Sequence, residues 1–249
     1  MDLDGTVAGA EAGARRAFID LHCHTRASFD SLANPEAVVR AAANRGLTHL
    51  AITDHDRIDA AVEARDAAPG GITVLVGEEV KSVDGDMIAV FLRSVVPPGL
   101  SAIETIAAIR EQGGLVGIPH PFDARRGFGR HGTDLESIAD KIDWVEAYNA
   151  RVFGASANEK AALFALGHNL PGVAASDSHT VLEVAVSYNM LAGDPSTPEG
   201  LLAALAGVEM VPGRASYYVR AWSPLAKIIQ SLRGNGRRRP QESTGDTGE

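Results

Sequence analysis

The residues best able to do chemistry in this chain are His22, His24, Asp30, His55, Glu79, His120, Asp177 and His179. His22 and His24 are separated by one residue, and on an extended backbone that i, i+2 spacing puts both imidazoles on one face, within reach of one point. Asp54-His55-Asp56 and Asp177-Ser178-His179 repeat the i, i+2 pattern, and His120 stands between two prolines. Imidazole nitrogens and carboxylate oxygens are the donor set of Mn, Fe and Zn. Eight donors exceed what one tetrahedral ion takes, and with bridging carboxylates they suit two or three divalent ions. A structural zinc site is the plainer alternative. Such a site usually employs cysteine and closes its coordination sphere, whereas these donors are dispersed along the chain. The set therefore points to catalysis in which clustered ions activate a water.

Each donor cluster follows a short apolar or small-residue run, at 17–21, 47–53 and 172–176, of the kind that forms buried strands. Donors at the ends of separate strands are how an α/β barrel assembles a site. Between the strands, Asn34-Pro35-Glu36 starts a helix that Gly46 stops, and 58–67 reads as a second helix. Strand 72–76 leads into Gly77-Glu78-Glu79, and 87–92 pairs with it as a hairpin across Asp84-Gly85. Ser101 and Glu104 form a capping box for a helix over 101–112, and strand 115–118 delivers Pro119-His120-Pro121. A short helix at 135–139, a strand at 144–148, a helix at 155–166 and strands at 173–175 and 184–190 follow. Helices near 198–206 and 224–232 complete the chain. This alternation predicts an α/β fold with a largely parallel sheet. The expected organisation is one barrel domain over 14–233, a flexible segment at 1–13 and a disordered tail at 234–249, in which Arg237-Arg238-Arg239 is solvated.

A net charge of -9 over 249 residues argues against an extended nucleic-acid surface. A single cysteine excludes an internal disulfide, and Cys23, pointing away from its flanking histidines, reads as a core residue. With no apolar run long enough to span a membrane and no signal-peptide core, the expectation is a cytoplasmic protein without membrane contact. Asp2-Leu3-Asp4-Gly5-Thr6 resembles the nucleophile loop of haloacid-dehalogenase-type phosphatases. That chemistry needs a buried strand before the first aspartate, and here only Met1 precedes it.

Taken in order, these motifs resemble the PHP (polymerase and histidinol phosphatase) family of metal-dependent phosphoesterases. His22-Cys23-His24-Thr25 matches its H-x-H-T/S opening, with Asp30 at the acidic position that follows. Thr53-Asp54-His55-Asp56 matches T-D-H-D, Gly77-Glu78-Glu79 matches G-x-E, Pro119-His120-Pro121 carries the H-P pair, and Asp177-Ser178-His179 matches the terminal D-x-H. The resemblance implies a distorted (β/α)7 barrel with metals at the C-terminal ends of the strands. It implies one ion on His22, His24, Glu79 and Asp177, a second sharing Glu79 with His120, and a third on Asp30, His55 and His179. Asp86 departs from the pattern, standing where many relatives carry histidine, and could be a weaker ligand or an orienting group. Asn149 could complete that second site, orient a ligand or cap a strand.

The reaction this implies is hydrolysis of a phosphate ester by a metal-activated water. Arg125, Arg126 and Arg151 are the candidates for gripping phosphoryl oxygens, since a guanidinium can hold two at once. Asp54 and Asp56 are read as orienting ligands, and His131, in the arginine-rich loop, as a substrate contact or supporting group. His49 and His168 read as structural. The expected substrate is a phosphorylated small molecule, such as a nucleotide or histidinol phosphate, or a short oligonucleotide. Two other classes compete: a metal-dependent amidohydrolase, for which Lys81 is the available lysine, and a non-catalytic metal-binding regulator.

Overall fold

The computed structural model describes residues 16–128, 134–220 and 222–236. The segments 1–13 and Arg237 to Arg239, and also His131, lie outside the described residues. Nine strands among those described form one sheet: β1 (Arg16–Asp20), β2 (His49–Ile52), β3 (Thr73–Lys81), β4 (Asp86–Val90), β5 (Leu115–Ile118), β6 (Trp144–Asn149), β7 (Gly172–Ala175), β8 (Tyr188–Ala192) and β9 (Glu209–Val211). Their order is β7-β6-β5-β4-β3-β2-β1-β8-β9.

The sheet curls until its ends meet. The β8 side chain of Asn189 donates from Nδ2 to the carbonyl of Ala174 in β7 and accepts from the Ala174 amide, both at 2.8 Å. Beyond the strand ends Cys23 bridges Ser178 in parallel, and the His24 amide donates to Ser178 O at 2.8 Å. The product is the distorted, nearly closed α/β barrel expected of the sequence. Its sheet is mixed rather than largely parallel. β1-β2-β3 and β5-β6-β7 are parallel blocks, but β4 runs antiparallel to both its neighbours, and β8 is antiparallel to β1 and β9. The reason is local: Lys81 and Asp86 are register partners across a tight turn that reverses the chain without a crossover helix.

Alternation along the strands splits the core into two layers. Leu50, Ile52, Val74 and Val76 face outward against Val38, Val39 and Ala42 of α1 (Pro35–Asn44) and Ala61 and Ala64 of α2 (Asp59–Asp66). Ile106 and Ile109 of α3 (Ala102–Arg110) join the same layer. The intervening Ala51 and Leu75 belong to the second cluster with Ile19, Ile88, Leu115, Trp144 and Val173. Gly117 makes room there, since a Cβ on it would lie 2.1 Å from the Trp144 ring. Following Leu75 along β3, Gly77 and Glu79 stay on the inner face, so Glu79 sits above the apolar plug.

Helix ends follow sequence chemistry. Asn34 caps α1 by accepting from Ala37 N, and Ser101 with Glu104 forms the expected capping box of α3. Residues Leu135–Lys141 form a 3-10 helix; α4 (Ser156–Gly167), α5 (Pro198–Leu205), the short α6 (Tyr217–Arg220) and α7 (Trp222–Leu232) complete the helices. Asn235, in the stretch expected to be a free tail, accepts a hydrogen bond from Arg57 and donates to Ala27 O. No described helix is long and apolar enough to cross a membrane.

Candidate metal centre

The eight candidate donors come together at one mouth of the barrel, all buried. Ligand-type atoms of His22, His24 and Asp177 lie within 4.8 Å of one another, as do those of His24, His55 and His179, and those of Glu79, Asp86 and His120. Asp30 faces the second group, 3.3 Å from His179 Nε2 and 3.5 Å from His55 Nε2. Glu79 Oε2 lies 3.4 Å from His22 Nε2, 3.3 Å from His24 Nε2 and 3.1 Å from His55 Nδ1, so one carboxylate touches members of every group.

Each donor is oriented by its other polar atom. His22 holds Glu146 Oε1 through Nδ1 at 2.6 Å, which turns Nε2 inward to within 2.9 Å of His24 Nε2. His24 Nδ1 is engaged by Ser28 Oγ, whose hydroxyl donates to Asp54 Oδ1 at 2.6 Å. Asp54 also accepts from the amides of Thr25 and Ser28 and from the Thr25 hydroxyl, so it fixes the turn after the first histidine pair and is not itself among the converging donors. Asp177 divides its oxygens. Oδ2 accepts from Arg126 Nη1 at 2.7 Å and from Asn149 Nδ2 at 3.2 Å, while Oδ1 faces His24 Nε2 and His179 Nδ1, each at 3.5 Å. Anchoring one atom so that the other points at a shared centre is the usual outer layer of a metal site.

Backbone strain sits at the same places. Asp56 (φ 54°), His120 (φ 31°) and Asp177 (φ 50°) occupy the left-handed region that non-glycine residues avoid. Asp56 is fixed through its side chain, which accepts from the Lys81 amide at 2.8 Å, and its own amide donates to Glu79 O. His120 is held by its amide, which donates to Glu146 Oε2 at 2.9 Å.

Burial penalises charge throughout this cluster, so its groups depend on one another. Burial opposes protonation of His24, yet the Asp177 and Glu79 carboxylates facing its Nε2 overcome it and hold the imidazole at about 9. Burial would raise Asp177, but the Arg126 guanidinium, then His22, keeps the carboxyl well below its ordinary range. The residues present fit divalent cations. Asp30 Oδ1, Glu79 Oε2 and Asp177 Oδ1 are buried without a hydrogen-bond partner among the described residues, and a bound cation would satisfy them.

The arginines expected to meet phosphate are differently committed. Arg126 pairs with Asp177, and Arg151 with Glu183 at 2.7 Å and Ser223 Oγ at 2.8 Å. Arg125 is exposed, and together with Arg126 and Arg151 it lines one cavity beside Asp30 and His179. Asp86 is buried beside Glu79 and His120 and pairs with Lys81 Nζ at 3.1 Å. Asn149, rather than ending a strand idly, links Glu146 to Asp177. His49 and His168 are remote from the cluster. His49 is bound by Thr48 and Ser196, and His168 by Phe164 O and Glu136.

Glu146 is the residue that sequence reasoning missed. It orients His22, His120 and Asn149 at once. The available signal was a carboxylate in the middle of the otherwise apolar Trp144-Val145 strand, on the face of Trp144.

Known proteins share this sequence pattern and fold. The model of the PHP domain matches residues 20–169, and that of a PHP-associated region matches 155–207. Two uncharacterised proteins of Methanocaldococcus jannaschii are similar. One is 36% identical over 53% of this chain and 81% of its own length, the other 30% identical over 68% of each. Among solved structures, a two-domain protein of Bacteroides vulgatus described as containing a predicted PHP-like metal-dependent phosphoesterase superposes with a TM-score of 0.68 at 18% identity, over 81% of this chain and 66% of that one. A lesion-specific endonuclease of Pyrococcus furiosus gives 0.60 at 17% identity over 79% and 58%, and an amidohydrolase of Chromobacterium violaceum 0.51 at 19% over 90% and 98%. At these identities the solved structures speak for the fold.

Proposed function

Since this chain belongs to the PHP domain family, we propose that it is a metal-dependent phosphoesterase acting on a phosphorylated small molecule or a short oligonucleotide. The observation that carries this reading is the convergence of imidazoles and carboxylates, with orphaned buried atoms, beside a cavity lined by Arg125, Arg126 and Arg151. In the proposed assignment His22, His24, Glu79 and Asp177 hold one divalent ion. Glu79, His120 and Asp86 hold a second, and Asp30, His55 and His179 a third. Mn, Fe and Zn all suit this donor set. Bound ions would neutralise phosphoryl charge and lower the pKa of an attacking water.

The chain's own residues do the rest. Glu146, Asn149 and the Asp54–Ser28 pair hold ligand rings and carboxylates at fixed angles, so little reorganisation is needed when substrate arrives. Arg126 shares its guanidinium between Asp177 and the cavity, so it is cast as a positioning group whose remaining donors can meet a phosphoryl oxygen. Arg151 supports the wall through Glu183, which also accepts from the His179 amide. Lys81 is held by Asp86, which argues against its use as an amidohydrolase-type bridging lysine.

The test is to strip the protein with chelator, restore Mn, Fe or Zn singly, and assay a phosphomonoester, a phosphodiester and an N-acyl compound. Metal-dependent phosphate-ester cleavage supports the reading. Metal-dependent N-deacylation without phosphate-ester cleavage would replace it with the amidohydrolase reading.

A further inference from the structure

Resting on the phosphoesterase reading, we propose that Lys227 of α7 selects substrates that carry a second anionic group, a carboxylate or another phosphate, a few bonds from the ester that is cleaved. The helix lies beyond both family matches, which end at residues 169 and 207. It is nevertheless a wall of the candidate site. Lys227, Ser223, Arg126, Arg151, Asp30 and His179 line one cavity of about 370 Å³ that opens onto the donor cluster.

The helix is docked on the loop that supplies Asp30. The buried Gln230 amide lies within hydrogen-bond reach of three carbonyls of that loop, Arg26 O at 2.6 Å, Ser28 O at 3.0 Å and Ser31 O at 2.8 Å. Asn235 adds a bond to Ala27 O at 3.0 Å. Lys227 stands three residues before Gln230, so both are on neighbouring parts of one helix face. Its ammonium is thereby carried to within 3.9 Å of Asp30 Oδ2 and over the Phe29 ring at 5.3 Å.

Charge accounting then singles Lys227 out. The Arg151 guanidinium is committed to Glu183 and Ser223, and Arg126, bonded to Asp177 at 2.7 Å, is the group cast above to meet the phosphoryl that is cleaved. Lys227 makes no hydrogen bond among the described residues, and its side chain is 53% exposed to the cavity mouth. Its one described ion-pair partner is Asp30, itself assigned to a cation. With Asp30 committed to a divalent ion, the ammonium would stand beside net positive charge with its own three donors unused. A phosphoryl group held at the ions leaves the next anionic group of the same molecule beside Lys227, where it restores the balance.

Calorimetric titration of the metal-loaded protein with 3-phosphonopropionate and with propylphosphonate tests this, since neither is hydrolysed and they differ by one carboxylate. The wild type is expected to bind the carboxylate-bearing phosphonate about tenfold more tightly, the scale of one charge-assisted hydrogen bond. Lys227→Ala should abolish that preference while leaving propylphosphonate binding within about twofold, and Lys227→Arg should keep most of the preference. Equal affinities in the wild type, or an equal loss for both ligands in Lys227→Ala, overturn the proposal and leave the phosphoesterase reading intact. Failure of the loaded wild type to bind either phosphonate overturns that reading and the proposal with it.

Discussion

At the scale of single residues, Glu146 tests whether the outer layer matters. It binds His22 Nδ1 at 2.6 Å and the His120 amide at 2.9 Å, so its carboxylate sets both imidazoles. Glu146→Gln keeps the shape but removes the charge that favours the Nδ1–H tautomer of His22. The expected outcome is a loss of about 10- to 100-fold in metal affinity with unchanged circular dichroism, read by competition against a chromogenic chelator. Unchanged affinity would mean that the contact is structural only. Among the candidate donors, His22, His24, Asp177, His179 and His120 could be picked out by i, i+2 spacing or flanking prolines, and Asp30, His55 and Glu79 through the motifs they stand in. Glu146 was not legible, because a lone carboxylate within a strand has no neighbour that marks which buried partners it will meet. Asn149 was visible as a polar strand end, but its choice between Glu146, Asp177 and solvent is made by strands distant in sequence.

At the scale of elements, most strands and helices followed from apolar runs, caps and breakers. The exceptions have physical causes. β3 continues through Gly77-Glu78-Glu79 to Lys81, past the apolar run that ends at Val76, because Glu79 faces the donor cluster and Glu78 accepts from the Val96 amide. The strand expected over 184–190 begins only at Tyr188, since Ala185 adopts a left-handed φ of 56° in a turn. The end of α4 offers a pH test away from the candidate metal centre. His168 there presents Nδ1 to Phe164 O at 2.9 Å and Nε2 to Glu136 Oε2 at 2.5 Å. Two acceptors favour the imidazolium, so the Phe164 carbonyl first, then the Glu136 carboxylate, raises His168 above its ordinary 6.5. A raised folded-state value means that the stabilisation is fully present below about 6.5 and is lost as pH rises through the folded value. His168→Gln should therefore lower the melting temperature slightly at about pH 5.5 and leave it unchanged at about pH 9. Equal effects at both pH values would assign the contact to packing.

At the scale of the whole molecule, closure of the sheet makes the site. Cys23 bridging Ser178 and Asn189 bonding Ala174 bring the first and seventh strands together, and only then do His22 and His24 meet Asp177 and His179. The closed mouth gathers buried carboxylates and imidazoles, several of whose polar atoms have no hydrogen-bond partner among the described residues, a costly arrangement for charges out of water that a bound cation would offset. Metal loading should therefore raise the melting temperature, and saturation at about 100 times Kd corresponds to about 2.7 kcal/mol. A chelator should reverse the shift.

The most direct measurement follows metal content and phosphate-ester hydrolysis together as the chelator-stripped protein is titrated with Mn. Two or three ions per chain, with phosphate release rising as they bind and absent from a folded Asp177→Asn variant, is the predicted result. A protein that retains less than one ion per chain, or releases phosphate equally well without metal, would contradict the account.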